Sequence, residues 1–196
     1  MLLESETDKY QRMYAAGYGV GPVSQILPYF FGGKDLAGKV VLDAGSGHGV
    51  ISKHLYDLGG DLSCLDLDCF IHPDIRAYFE SGERPVRFIQ GSMWEREHFP
   101  YRGYDLICCF DVIEHIPPTE LDQVFWNFRY ALRDKGELYM TISCAPDISG
   151  ERIGEKLHLS VYSPEWWEEL VGRYFIVTSW TVVGPEGREM VLLKAC

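Results

Sequence analysis

No apolar run in this chain reaches the ~18 residues that span a bilayer, and no basic stretch followed by an apolar core opens it. Both absences lead us to expect a soluble, cytoplasmic protein. Positive charge is scarce as well. Lys and Arg number 18 against 29 Asp and Glu, a formal net charge of −11, and no Lys/Arg run occurs. That balance weighs against broad contact with nucleic acid, whose affinity comes mainly from neutralised phosphates; it leaves room only for a local basic patch. None of the six cysteines, Cys64, Cys69, Cys108, Cys109, Cys144 and Cys196, forms a C-x-x-C zinc pair. Most fall in buried strand patterns and read as small apolar core residues in a reducing compartment. Internal repeats and low-complexity stretches are also missing. What remains is 196 residues, 46% hydrophobic, enough for an α/β domain with a full core.

The richest stretch runs from Val40 to Val50, Val-Val-Leu-Asp-Ala-Gly-Ser-Gly-His-Gly-Val. Val40 to Leu42 fit a strand buried on both faces. Gly45, Gly47 and Gly49 let the backbone turn sharply and let a ligand approach with no Cβ in the way. A helical pattern follows, and its N-terminal N–H groups favour a negative charge at the turn. A dinucleotide fingerprint wants G-x-G-x-x-G. Here the glycines fall at every second residue, position 50 is valine, and Asp43 stands two residues before the first glycine.

The rest of the chain alternates helix and strand patterns. Residues 4–18 fit an amphipathic helix with Tyr10, Tyr14 and Tyr18 on one face, and Val23 to Phe31 a second helix ending at Gly32-Gly33. These two either pack on the sheet edge or form a lid, with Tyr14 and Tyr18 as its contacts. A helix over His48–Leu58 stops at Gly59-Gly60, and Asp61 to Leu67 is a strand. Asp66, at that strand's end, can accept two hydrogen bonds from vicinal ribose hydroxyls; Asp68 competes for the role, and helix capping suits it better. Ile75–Ser81 is helical, Val86–Gln90 a strand, with Gly91-Ser92-Met93 after it. Tyr104 to Phe110 is a further strand, running into Asp111-Val112-Ile113-Glu114-His115-Ile116-Pro117-Pro118. Thr119 to Asp122 fits a capping-box variant opening a helix with one apolar stripe (Leu121, Val124, Phe125, Phe128, Ala131, Leu132), closed by Gly136. Glu137–Ser143 is a strand and 145–162 an irregular insertion. Ser163-Pro164 cap a helix with Trp166, Trp167, Leu170 and Val171 inward. Phe175–Val183 and Arg188–Lys194, joined by Gly184-Pro185-Glu186-Gly187, read as a closing hairpin.

D-x-G-x-G-x-G after a first strand, an acid ending the second, and Y-D-L-I…D-V-I-E-H-I-P ending the fourth resemble the class I S-adenosylmethionine-dependent methyltransferases, in order and spacing from Val40 to about Thr141. The resemblance implies a three-layer α-β-α sandwich around a seven-stranded, mostly parallel sheet with a C-terminal antiparallel hairpin, formed as one methyltransferase domain over 1–196. Residues 1–33 would be the lid segment, 34–144 the cofactor-binding core, 145–162 the substrate-side insertion and 163–196 the helix and hairpin. It implies S-adenosyl-L-methionine as cofactor: Asp43, Gly45, Ser46, Gly47, His48 and Gly49 at its amino-acid end, and Asp66 with Leu67 at the ribose. Ser92 and Met93 would meet the adenine, Phe110 and Asp111 the methionine chain, and Tyr14 would cover it. The family usually has an acid where Ser92 stands, which puts the adenine contact in question.

Methyl transfer from a sulfonium needs alignment, exclusion of water and, for some nucleophiles, removal of a proton. His115, with Glu114 beside it, is the candidate base, since an imidazole titrates near working pH. Alternatively the E-H pair is a structural turn. A third reading makes Asp111, Glu114, His115 and His158 ligands of a divalent ion. That arrangement resembles the metal-dependent quinone O-methyltransferases and small-RNA 2′-O-methyltransferases, with aspartate in place of the first glutamate. The function expected is methyl transfer to an O or N nucleophile, with a small-molecule acceptor suited to the acidic surface. The alternatives are a metal-dependent O-methyltransferase of a quinone- or RNA-type acceptor, a nicotinamide oxidoreductase, and a non-catalytic cofactor-binding partner.

Overall fold

The computed structural model describes residues 2–15, 23–68, 70–147, 150 and 154–196. They fall into two compact units, Met1–Ser92 and Met93–Cys196. The first holds α1 (Leu2–Ala15), α2 (Val23–Phe31), β1 (Val40–Ala44), α3 (Val50–Asp57), β2 (Asp61–Asp66), α4 (Pro73–Ser81) and β3 (Arg87–Gln90). The second holds β4 (Tyr104–Phe110), α5 (Leu121–Ala131), β5 (Leu132–Ser143), α6 (Pro164–Gly172), β6 (Val177–Val183) and β7 (Met190–Ala195). The strands follow the order β3-β2-β1 in the first unit and β4-β5-β7-β6 in the second. β1–β2, β2–β3 and β4–β5 pair in parallel, while β7 runs antiparallel to β5 and β6. This is the α/β sheet with a closing antiparallel pair that the sequence pattern implies. Among the described residues no helix is long and apolar enough to cross a membrane.

In the first unit, Val41, Leu42, Asp43 and Ala44 of β1 and Leu62 to Leu65 of β2 are buried in unbroken succession. Consecutive burial means that both faces of these strands are covered, which is why they read as continuous apolar runs. α3 supplies part of the cover through Ile51, Ser52, Leu55 and Tyr56. Leu55 is fully enclosed, and its truncation to alanine would cost about 2–5 kcal/mol. Register sets the site: Ala44 pairs with Leu65, so the two strands end level and deliver Gly45 and Asp66 to one edge.

In the second unit, Leu106 to Phe110 are buried, and the expected stripe Leu121, Val124, Phe125, Phe128 and Ala131 packs inward from α5. The ends of α5 differ from expectation. Pro118–Glu120 form a 3-10 turn, so Glu120 takes the N-cap position without a side-chain cap. Thr119 Oγ1 donates to Glu120 Oε1 at 3.2 Å instead of capping the helix. The helix stops at Ala131 rather than at Gly136, because Leu132 is already extended and pairs with Tyr104. Glu137 is next in register, opposite Leu106. Arg133 to Gly136 therefore bulge out, with Lys135 in the left-handed region at φ 64°. Arg133 to Asp105 (2.6 Å) and Arg102 to Asp134 (2.8 Å) tie the bulge down.

Ser163 caps α6 as expected, accepting from the Trp166 N–H at 3.4 Å, and Pro164 opens the helix. Trp167, Leu170 and Val171 are buried, but Trp166 is 36% exposed and its ring stacks on Tyr162. Cys64, Cys108 and Cys109 are buried; Cys144 is half-buried and Cys196 exposed, so the core role holds for three of them. Cys69 and Tyr18 lie outside the described residues.

Candidate functional site

In the first unit the turn after β1 is shaped by three left-handed residues, Gly45 (φ 81°), Gly47 (φ 47°) and Gly49 (φ 86°). L-residues rarely adopt that backbone, so glycine is required at each. Gly45 and Ser46 N–H both donate to Leu65 O, at 2.8 and 3.1 Å, and Gly49 N–H to Ser46 O at 2.8 Å. Asp66 ties the turn to β2. Its Oδ2 accepts from Gly47 N–H at 2.7 Å and its Oδ1 from Leu67 N–H at 2.8 Å. Burial pushes this carboxyl up to about 6; the two N–H donors oppose the shift, and Asp68 adds to it. Each oxygen keeps a lone pair beyond its backbone bond. Asp68 is engaged elsewhere, accepting from Gln11 of α1 at 2.8 Å.

α3 begins at Val50, two residues later than expected. A carboxyl from the end of β1 reaches the first turn of α3. Asp43 is buried, and its Oδ2 accepts from Ser52 Oγ at 2.5 Å. Burial raises its pKa to about 7, Ser52 hydroxyl and N–H bonds lower it, and the Asp66 charge raises it. Asp43 therefore ties the end of β1 to the first turn of α3. Tyr14 of α1 packs over the turn, its ring 4.3 Å from that of His48 and 4.7 Å from that of Phe70. A Cβ built on Gly47 would meet the Tyr14 hydroxyl at 2.9 Å. Burial lowers the His48 pKa, and His72 lowers it further. Ser92, expected at the adenine, is 1% exposed.

The second unit carries the E-H turn, a 3-10 turn over Ile113–His115. Asp111 enters it at φ 53°, a strained conformation for a residue with a Cβ. Thr141 of β5 holds it there: Asp111 N–H donates to Thr141 Oγ1 at 2.9 Å, and Oγ1–H donates to Asp111 Oδ1 at 2.7 Å. Burial raises the Asp111 pKa against that bond and the nearby His158. Phe110 and Met93 are buried, and Met93 O accepts from Asn127 Nδ2 at 2.9 Å.

Glu114 is wholly buried. Its Oε1 accepts from Ser143 N–H at 3.0 Å, and its Oε2 has no hydrogen-bond partner among the described residues. Burial, then the charge of Asp111, holds this carboxyl well above the usual range. The backbone carbonyl of Glu114 accepts from Leu159 and Ser160 N–H, both at 2.9 Å, and Ser160 Oγ donates to Ile116 O at 2.6 Å. This pins the insertion to the turn. His158 Nδ1 lies 2.6 Å from Ala145 O. A carbonyl only accepts, so Nδ1 carries the proton, which leaves Nε2 as the nitrogen a ligand would use. The His115 and His158 rings meet at 4.8 Å, edge to face. Glu114, His115 and His158 bring one ligand atom each within 4.8 Å of one another; Asp111 is instead held by Thr141. Ser52, Thr141, Ser143 and Ala145 complete these arrangements and were not singled out in the sequence. Two of them act through backbone groups, which leave no trace in residue identity.

A family model described as a methyltransferase domain matches residues 41–136. A ubiquinone biosynthesis O-methyltransferase of Photorhabdus laumondii is 31% identical over 84 residues, covering 42% of this chain and 35% of that protein. The protein of the same name from Nitrosospira multiformis is 31% identical over 101 residues, covering 49% and 42%. The chain thus spans well under half the length of these relatives. Among solved structures, the 1,6-didemethyltoxoflavin N1-methyltransferase of Burkholderia thailandensis, with bound 1,6-didemethyltoxoflavin and S-adenosylhomocysteine, superposes with a TM-score of 0.72. It is 19% identical and covers 99% of this chain and 86% of its own, a likeness of fold. With valine at position 50 and an antiparallel pair closing the sheet, the dinucleotide reading falls away, and residues 41–136 are similar to the methyltransferase domains.

Proposed function

We propose that the chain binds S-adenosyl-L-methionine and transfers its methyl group to an O or N nucleophile of a small molecule. The observation that carries this reading is the left-handed glycine turn lashed to Asp66 through the Gly47 N–H. It leaves bare backbone next to a carboxylate with unused lone pairs. When bound, the cofactor supplies a methyl on a sulfonium, a leaving group already activated by its charge. The chain's own tasks are to grip, to exclude water and to take a proton. In the first unit, the turn from Gly45 to Gly49 receives the amino-acid end, Asp66 accepts from the ribose hydroxyls, and the Tyr14 ring covers the turn. In the second unit, His115 accepts the acceptor's proton. The curated relatives named for ubiquinone biosynthesis support an oxygen nucleophile on a small molecule.

Calorimetric titration with S-adenosylhomocysteine tests the reading. Wild type should bind, and Asp66→Ala should weaken binding by roughly 2–4 kcal/mol, the range for losing charge-assisted bonds. Equal affinity in the variant would remove Asp66 from the site, and no binding to wild type would end the assignment.

A second reading rests on the trio in the second unit. A carboxyl oxygen with no partner among the described residues, a histidine held by a carbonyl through Nδ1, and a second histidine within 4.8 Å form a donor set that suits a divalent ion. Such an ion, bound by Glu114, His115 and His158, would lower the pKa of an acceptor hydroxyl. Metal analysis of the purified protein decides it: no retained ion, and no effect of a chelator on activity, would dismiss it.

A further inference from the structure

We propose that β6 joins two copies of this chain edge to edge, in antiparallel register about a twofold axis at Thr181. β6 is the last strand in the order of the second unit, so among the described residues no strand lies on its outer side.

The ladder fixes which groups that side presents. Alternate residues of an antiparallel strand send their N–H and C=O to opposite neighbours. At one end of β7, Glu189 O accepts from Cys144 N–H on the β5 side at 2.8 Å. At the other end, Cys196 exchanges both bonds with Ile176 on the β6 side, at 2.9 and 3.0 Å. Odd positions of β7 therefore serve β5 and even positions serve β6. Met190 and Leu192 take Val183 and Thr181. Trp180 and Val182 stand opposite the odd residues Leu193 and Val191, so their backbone groups point away from β7, to the outer side.

Native edges are blunted by charges or prolines. From Tyr174 to Gly184 this chain has neither. The irregularity between Val177 and Ser179 sits at the start of β6 and leaves 179–183 in unbroken register. Apolar side chains are open along the same stretch: Ile176 is 73% exposed, Val182 44% and Val183 42%.

These features select a second copy as the occupant. An axis at Thr181 sets Trp180 of each copy opposite Val182 of the other. Each such pair exchanges both backbone hydrogen bonds, and the symmetry supplies the pair twice. An aromatic ring against a β-branched side chain is a favourable cross-strand pair, and it covers Val182. Charge points the same way. Each copy carries a net −11, and two such chains repel unless they meet where charge is absent. A partner recruited by opposite charge would find nothing on this strand to pair with.

Sedimentation velocity of the full chain from about 1 to 100 µM tests the proposal. A concentration-dependent dimer should appear. It should tighten between about 0.05 and 0.5 M salt, because screening weakens the repulsion while the contact has no ion pair to lose. Val182→Lys should weaken it at least about 10-fold, by setting like charges into the edge. Tyr101→Lys makes the same charge change at another exposed ring of the second unit and should not weaken the dimer. Val182→Pro removes an outward N–H and no bond to β7, and it should give a folded monomer by circular dichroism. A chain that stays monomeric throughout, a dimer that salt weakens, or a dimer that survives both Val182 variants would overturn the proposal.

Discussion

Asp43→Asn should flatten the pH dependence of folding stability. Asp43 is 2% exposed, and burial raises its pKa from 3.8 to about 7. A raised carboxyl holds its proton longer in the folded chain than in the unfolded one. Its contribution is therefore fully present below pH 4 and is lost as pH rises towards 7 and beyond. At ~1.4 kcal/mol for each tenfold difference in proton affinity, the full loss is about 4 kcal/mol, of which about 2–3 kcal/mol falls between pH 5 and pH 8. Asparagine keeps the shape and an oxygen for the Ser52 hydroxyl but cannot titrate. Urea melts of ligand-free wild type and variant at pH 5 and pH 8 give the four stabilities needed. The drop between the two pH values should be smaller in Asp43→Asn by about 2–3 kcal/mol, whatever its absolute stability. An identical drop in both proteins would show that burial does not raise the Asp43 pKa, and the reasoning would be wrong.

His115→Ala should lower turnover by about 10²-fold or more while S-adenosylhomocysteine affinity holds; unchanged turnover would end the base role. Gly47→Ala should destabilise the fold by about 1–2 kcal/mol, from its φ of 47° and the contact with the Tyr14 hydroxyl. Adding Tyr14→Phe should recover part of that loss in thermal melts, and no recovery would mean that Tyr14 does not bear on the turn. Glu114→Gln mimics a protonated carboxyl and should leave stability within about 1 kcal/mol. If the trio binds a divalent ion, the same change should cut metal retention at least about 10-fold by elemental analysis.

Strands buried on both faces and turns that demand glycine were legible because their residues admit few alternatives. Val23–Phe31 and Tyr104–Phe110 match the expected bounds. Errors collected where tertiary pairing overrode local preference. Gly136 looked like a helix stop, but Leu132 had already joined Tyr104 in the sheet. Thr119 looked like a cap, but Pro118 imposed a tighter turn. Trp166 had helix-core spacing, yet its ring lies on Tyr162. At the site, Asp43, Asp66, Glu114 and His115 were named from motif position. The bond between Asp43 and Ser52 in the first turn of α3 left no mark in the sequence. Thr141 and the carbonyl of Ala145 carried no sequence signal, since what they contribute is a bond across the fold.

The surplus residues between Leu132 and Glu137 mark where this chain can be lengthened. Sheet register on either side is fixed by Tyr104 and Leu106, and Asp134 and Lys135 face water between two ion pairs. An epitope or fluorophore-binding peptide grafted between Asp134 and Lys135 would grow outward from an excursion the strand already makes, leaving the ladder beside it in step.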